Sequence, residues 1–252
     1  MKTLRIFLFI LIIIGLVLLF TEKIWVPKLI NKIIESEFGQ AEISNTISTP
    51  ISITSKKIKE DNFNATFSVI SGTSKLAVSM KEFVNKNIAD FKKQADADVP
   101  SMRAQFGADN PTANYEIFID SKYIKGEKTE SIKTEVYTYT GGAHGSTLYK
   151  VMTANLLGGE IISLPDIIKK EKQNDFVEFV KGELKKKYTE ETTGSYALFD
   201  DSVKALNFDS FNNWSLDKEN LIIYFDQYAI GPGALGATEF AIPFTGIKDF
   251  LI

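Results

Sequence analysis

A single histidine, His144, occurs in the 252-residue chain, within the run Tyr137-Thr138-Tyr139-Thr140-Gly141-Gly142-Ala143-His144-Gly145. A lone imidazole can act as a general base near neutral pH, or it can fix a turn by bonding to backbone. Nucleophilic catalysis would need a hydroxyl and an orienting carboxylate beside it, and only Ser146 lies close in sequence. With one His and no Cys, zinc would depend on Asp or Glu partners, and no ligand spacing surrounds His144. Tyr139, Gly141, Gly142, His144 and Gly145 therefore read as a binding or structural loop between two strands. The run lacks the Lys-Ser/Thr and the following helix that a phosphate-cradling loop requires.

A second cluster comprises Tyr224, Asp226 and Tyr228, followed by Gly231, Gly233 and Gly236. Aromatics beside a glycine-rich loop suit a sugar platform or a protein hot spot. Equally, the tyrosines could pack on a sheet while Asp226 caps a turn. Asp120, Asp226 and Glu239 are the carboxylates that glycan hydrolysis would call on, although no spacing forces them together. No catalytic residue, metal or cofactor is assigned on these grounds, and the chain is expected not to be an enzyme.

The elements that hold these residues follow from hydropathy. Leu4–Phe20 is apolar except for Arg5, and the uncharged run from Ile6 to Thr21 would make about 24 Å of helix. Lys2 and Arg5 precede it, and no small-x-small cleavage site follows. Residues 1–21 are accordingly expected to be a short cytoplasmic tail and an uncleaved transmembrane helix. The localisation that follows is single-pass in the cell membrane, with the C-terminal domain outside. Residues 22–44 read as a membrane-proximal helix and linker. Two of the 29 basic residues, Lys2 and Arg5, lie in the anchor, so the rest carries an acidic excess against 32 Asp and Glu. Arg103 is the one arginine beyond the anchor, and nucleic acid is excluded as a partner.

Two α+β portions follow, 45–110 and 111–252. Ile51–Ile58 and Asn62–Ile70 alternate as strands. Met80, Val84, Ile88, Phe91 and Ala95 form one stripe of a helix over Lys75–Ala97, closed off near Pro100. Tyr115–Ile124, Glu130–Tyr139, Leu148–Asn155 and Glu160–Ser163 read as strands, and Gly158-Gly159 as a hairpin turn. A short helix to Lys170 and a second strong helix over Asp175–Tyr188 come next. Leu221–Phe225 is a strand, Glu239–Ile242 an edge strand stopped by Pro243, and Ile247–Leu251 a terminal helical turn. Strand groups broken by isolated helices give an α+β class, with mixed or antiparallel sheets and helices packed on them, preceded by one transmembrane helix.

The run ending at Gly145, together with Leu164-Pro165-Asp166-Ile167-Ile168, Leu221–Ile230 and Glu239–Phe244, resembles the ectodomain of the RsiV-like anti-sigma factors. The same module precedes the catalytic domain of PdaC-like peptidoglycan deacetylases (domains of the DUF4163 and DUF3298 type). The resemblance covers roughly residues 45–252. It implies an extracytoplasmic binding or sensing module, with lysozyme or another envelope protein as partner; the apolar N-terminal helix adds membrane lipid as a contact. The alternatives are a peptidoglycan-binding or structural envelope protein and a cell-wall hydrolase using His144.

Overall fold

Ser74 starts the longest helix: its hydroxyl accepts the N–H of Ala77 at 3.2 Å, satisfying one of the first-turn donors. The computed structural model describes residues 49–107, 114–189 and 198–252. The described chain to Leu251 falls in one compact unit, Thr46–Leu251. Helix α1, Lys75–Phe106, buries Leu76, Ala77, Met80, Val84, Phe91, Ala95 and Val99 along one side. Expected to close near Pro100, it instead continues through that residue for a further turn and a half. Val99 is fully buried next to Pro100, and Arg103 reaches Asn62 and Asn114, so tertiary contacts outweigh the missing proline N–H. Gly107, at φ +95°, ends the helix.

α1 packs on a six-stranded sheet in the order β1-β2-β3-β4-β5-β6. Its strands are β1 Ser52–Lys59, β2 Phe63–Ser71, β3 Tyr115–Lys125, β4 Thr129–Tyr139, β5 Ser146–Asn155 and β6 Ile161–Ile162. β2 and β3 pair in parallel across the α1 crossover, and all other neighbours are antiparallel, so the sheet is mixed. It also draws strands from both sides of residues 108–113, a point the sequence leaves open. Phe63, Ala65, Ile117, Ile119, Ile132 and Val136 face α1 in the first core. Buried hydroxyls on the central strands pair with one another, Ser121 with Thr134 at 2.8 Å and Ser131 with Thr153 at 2.9 Å.

The second core is built by α2, Gln173–Lys187, on a three-stranded antiparallel sheet of β7 Trp214–Leu216, β8 Asn220–Phe225 and β9 Thr238–Pro243. Two short helices, α3 Asp200–Ala205 and α4 Phe244–Ile247, add Val203 and Ile247 to this core. β9 is an edge strand, and the helical turn expected over 247–251 begins earlier, at Phe244. Leu251 instead bridges to Ile168. The segment after Leu164 forms two 3₁₀ turns, Leu164–Asp166 and Lys170–Lys172, in place of one short helix. β7 and α3 escape a reading by periodicity because three and six residues are too few to show a period.

The expected transmembrane helix is not supported. Among the described residues no helix is long and apolar enough to cross a membrane, and α1, the longest, carries a charged outer side. The anchor assigned to 1–21 and the membrane-proximal helix assigned to 22–44 lie outside the described residues. Single-pass localisation and the lipid contact through an N-terminal helix are dropped with it.

Phe176 is fully buried at the centre of the second core, edge-on to Phe208, Phe211 and Phe250 with centroids 5.5–6.2 Å away. Phe176→Ala is expected to lower unfolding free energy by about 3–5 kcal/mol. Urea denaturation should show this as a lower midpoint with an unchanged slope.

Candidate functional site

The β4–β5 connection is shaped by its glycines. Gly141 and Gly142 take φ +88° and +97°, which side chains rarely adopt, and the Tyr139 hydroxyl donates to the Gly142 carbonyl at 2.9 Å. Gly145 is buried under Tyr137, where a Cβ would lie 2.4 Å from both the Tyr137 ring and the Thr138 carbonyl. His144, the residue before it, is exposed. His144 donates from Nδ1 to the Gly145 carbonyl at 3.0 Å, leaving Nε2 to accept the Tyr228 O–H at 3.3 Å. The two rings sit 6.3 Å apart.

The two loops singled out in sequence thus meet, although His144 and Tyr228 are 84 residues apart. Tyr228 has φ +70°, the one positive value at a non-glycine among the described residues. Its ring lies across Gly233, where a Cβ would come within 2.4 Å of the hydroxyl. Gln227 ties the second loop to the first. Its side-chain amide donates to the Gly233 carbonyl and accepts the Thr147 N–H, each at 3.0 Å, while its own N–H reaches the Thr147 carbonyl. Gly231 is buried, and Gly236, at φ +73°, ends the 3₁₀ turn Gly233–Leu235.

Asp226 and Tyr224 have other duties. β6 pairs with only Thr153 and Ala154 of β5, so the earlier half of that edge needs other partners. Asp226 Oδ1 accepts the Tyr149 N–H at 2.6 Å. Asn213 accepts the Val151 N–H and donates to the Tyr149 carbonyl, each at 3.0 Å. Asp226 is therefore a structural acceptor at the join between the sheets. Tyr224 is buried edge-on to Tyr149, with centroids 5.4 Å apart, and its hydroxyl pairs with Ser215 at 2.8 Å.

Beside this pair lies a group that sequence reading misses. Lys133 is 6% exposed in the middle of β4, and its ammonium sits 2.5 Å from Glu239. It also lies 5.3 Å from the Tyr149 ring centre and 5.9 Å from that of Tyr224. The ammonium is desolvated on its aromatic side, while Glu239 remains half in water. A lysine alternating with Ile132 and Thr134 in a central strand is the one available signal, and only the partner sheet gives it meaning. Asn213 and Gln227 carry no sequence signal for their bridging roles.

Asp120, Asp226 and Glu239 are engaged separately, with Lys122, the Tyr149 N–H and Lys133 respectively. His144 is bonded to Gly145 and Tyr228 rather than to Ser146. Among the described residues no three His, Cys, Asp or Glu side chains cluster closely enough to hold a metal ion. What the His144–Tyr228 junction offers chemically is an exposed imidazole with its Nε2 lone pair oriented, next to a phenol and a rigid glycine-lined backbone.

Comparison with known proteins places this geometry. Residues 165–245 match the family described as Protein of unknown function (DUF3298), and residues 37–147 match the family described as Deacetylase PdaC. The two matches cover separate parts of the chain, the later one similar to DUF3298 and the earlier one to the PdaC-type deacetylases. It is 25% identical over 223 residues to the peptidoglycan-N-acetylmuramic acid deacetylase PdaC of Bacillus subtilis strain 168, spanning 86% of this chain and 43% of that protein. Its fold is similar to two solved DUF3298 family structures. One, from Bacteroides fragilis, has TM-score 0.56 at 16% identity, over 80% of this chain and 94% of that one. The other, from Pseudomonas aeruginosa, has TM-score 0.52 at 16% identity, over 81% and 94%.

These matches correct three expectations. A non-enzymatic chain does not stand, because both the PdaC family match and the curated relative are deacetylases by name. The membrane-anchored sensing module falls as well, since the relation runs to deacetylases and no described helix supplies an anchor. The finer RsiV-like ectodomain assignment narrows to a similarity to DUF3298 over residues 165–245 and to PdaC over residues 37–147.

Two measurements test the site. Gly145→Ala drives a Cβ into the Thr138 carbonyl and the Tyr137 ring, and should cost about 1–3 kcal/mol in urea denaturation. Gly158→Ala, whose Cβ would meet only Glu160 Cγ at an ordinary 4.0 Å, should stay within about 0.5 kcal/mol of the parent. Alkaline titration probes the seam. Burial, then nearby carboxylates, pushes the Tyr149 phenol up; burial also raises Tyr224, to about 12. A phenol whose folded pKa lies above its unfolded value of about 10 contributes stability that is complete below pH 10 and lost as pH rises towards 12. Unfolding free energy should fall across that window, and less steeply in Tyr224→Phe.

Proposed function

We propose that this chain engages the glycan of peptidoglycan and takes part in removing N-acetyl groups from its amino sugars. The observation that carries the reading is the similarity, along 86% of the chain, to a peptidoglycan-N-acetylmuramic acid deacetylase. Because the chain spans 43% of that relative, its activity is a matter for experiment. The His144–Tyr228 junction is the group best suited to act on an acetamide. Hydrolysis requires a water to lose a proton as it attacks the amide carbonyl, and the leaving amine to gain one. Nε2 of His144 is oriented to take that proton once the Tyr228 hydroxyl turns from it towards substrate. The Tyr228 phenol is then a donor for the carbonyl oxygen. Hydrogen bonds from Tyr139 to Gly142 and from Gln227 to Gly233 hold the loop backbones on either side of the junction, so only the Tyr228 side chain has to move.

The test is acetate release from purified peptidoglycan by the full chain, alongside co-sedimentation with the same material. We expect measurable acetate, falling by roughly 100-fold or more in a folded His144→Gln variant. Co-sedimentation without acetate would restrict the role to glycan binding. Neither acetate nor co-sedimentation would remove the reading.

A further inference from the structure

Alternation along β3 sends Tyr115, Ile117 and Ile119 under α1 and leaves Glu116, Phe118 and Asp120 on the opposite face of the sheet. Strand register continues that face sideways. Thr66 stands opposite Phe118, Phe118 opposite Tyr137, and Tyr137 opposite Thr147. The adjacent row is Asn64, Glu116 and Tyr139. Farther along the same face, Tyr149 and Val151 are covered by Tyr224 and Ile222 of β8. In the first two rows Phe118 stays 44% exposed in an interior strand, while Asn64, Thr66, Glu116, Tyr137 and Tyr139 are half-buried.

An exposed phenylalanine at the middle of a sheet face costs solvation, and here it is joined by a second ring. Phe118 and Tyr137 lie 5.9 Å apart, tilted by 51°. Polar groups frame them: Asn64 Nδ2 donates to Glu116 Oε1 at 3.5 Å, and Thr66 supplies a hydroxyl. The charges on this face largely cancel, with Lys122 beside Asp120 at 3.8 Å. A balanced surface has no field to attract a polyanion or an oppositely charged protein. It suits a ligand that is uncharged, has apolar C–H faces to lay on rings, and has hydroxyl and amide edges to bond to Asn64, Thr66 and Glu116.

We propose that the open sheet face around Phe118, Tyr137 and Tyr139 is a stacking platform for a neutral oligosaccharide of N-acetylated pyranoses. It deepens the peptidoglycan reading by giving the glycan a seat apart from the His144–Tyr228 junction. One sugar ring lies on Phe118 and Tyr137, and Asn64 and Glu116 bond its hydroxyls or acetamide.

The test is titration of the full chain with the N-acetylglucosamine tetramer, followed by calorimetry. Saturable binding is expected, changing little between 0.1 and about 0.5 M salt. Phe118→Ala should weaken it about fivefold or more, and Phe118→Trp, which keeps a ring, should retain it. Thermal melts of the variants show that the sheet is intact. The platform is overturned if Phe118→Ala binds like the parent. It is overturned too if the parent binds no tetramer at millimolar concentration, as it would if another part of the chain or a second copy covered the rings. Acetate release is measured independently, so either result leaves the deacetylation reading to stand or fall on its own assay.

Discussion

The unpaired edge of β5 is the constraint on which the site depends. β6 is two residues long and satisfies only the end of that strand, leaving the backbone groups of Thr147, Tyr149 and Val151 without a strand partner. A buried amide or carbonyl left unpaired would cost about 1–3 kcal/mol. Asp226, Gln227 and Asn213 meet the requirement with side chains that imitate a neighbouring strand. The three come from the two ends of the β7–β8 hairpin, so satisfying the edge also fixes where the second sheet lies against the first. Gln227 then carries the restraint outward, because the amide that reads Thr147 also holds Gly233 and hence the loop under Tyr228.

The same seam accounts for Lys133. Once β8 is laid across the sheet, Tyr224 meets Tyr149 edge-on, and the lysine beneath them has aromatic surface on one side and Glu239 on the other. The half-exposed carboxylate limits what the ion pair adds to stability, since solvent screens it. Its consequence is positional: Glu239 belongs to the edge strand β9, and pairing with a central-strand lysine holds that edge against the larger sheet.

Much of this was legible in the sequence where a period is long enough to read. The stripe from Met80 to Ala95 marks α1, and the alternation of Phe63, Ala65 and Phe67 marks β2. Both glycine loops were visible as loops, because Gly141, Gly142 and Gly236 take conformations that favour glycine. What could not be read is pairing at a distance. Nothing near Asp226 says that its carboxylate accepts an amide of Tyr149, and nothing near His144 says that Tyr228 is its neighbour. Pro100 misled for a related reason: a local rule about helix ends was overridden by the buried Val99 and by Arg103 reaching Asn62 and Asn114.

Element lengths explain why one part of the sheet is covered and another is open. α1, at 32 residues, spans about 48 Å and can cover the whole of one face. β3 and β4 have 11 residues each, about 36 Å of strand, whereas β8 has six, or about 20 Å. A sheet of that length cannot cover the opposite face from end to end. It meets the part bearing Lys133, Tyr149 and Val151, where the edge of β5 demands partners, and stops short of Phe118 and Tyr137. The exposed Phe118 and the half-buried Tyr137 thus sit beyond that cover, on interior strands held from behind by the α1 core. Such a surface is rigid by construction, and a ligand laid on it would pay little to order the protein beneath.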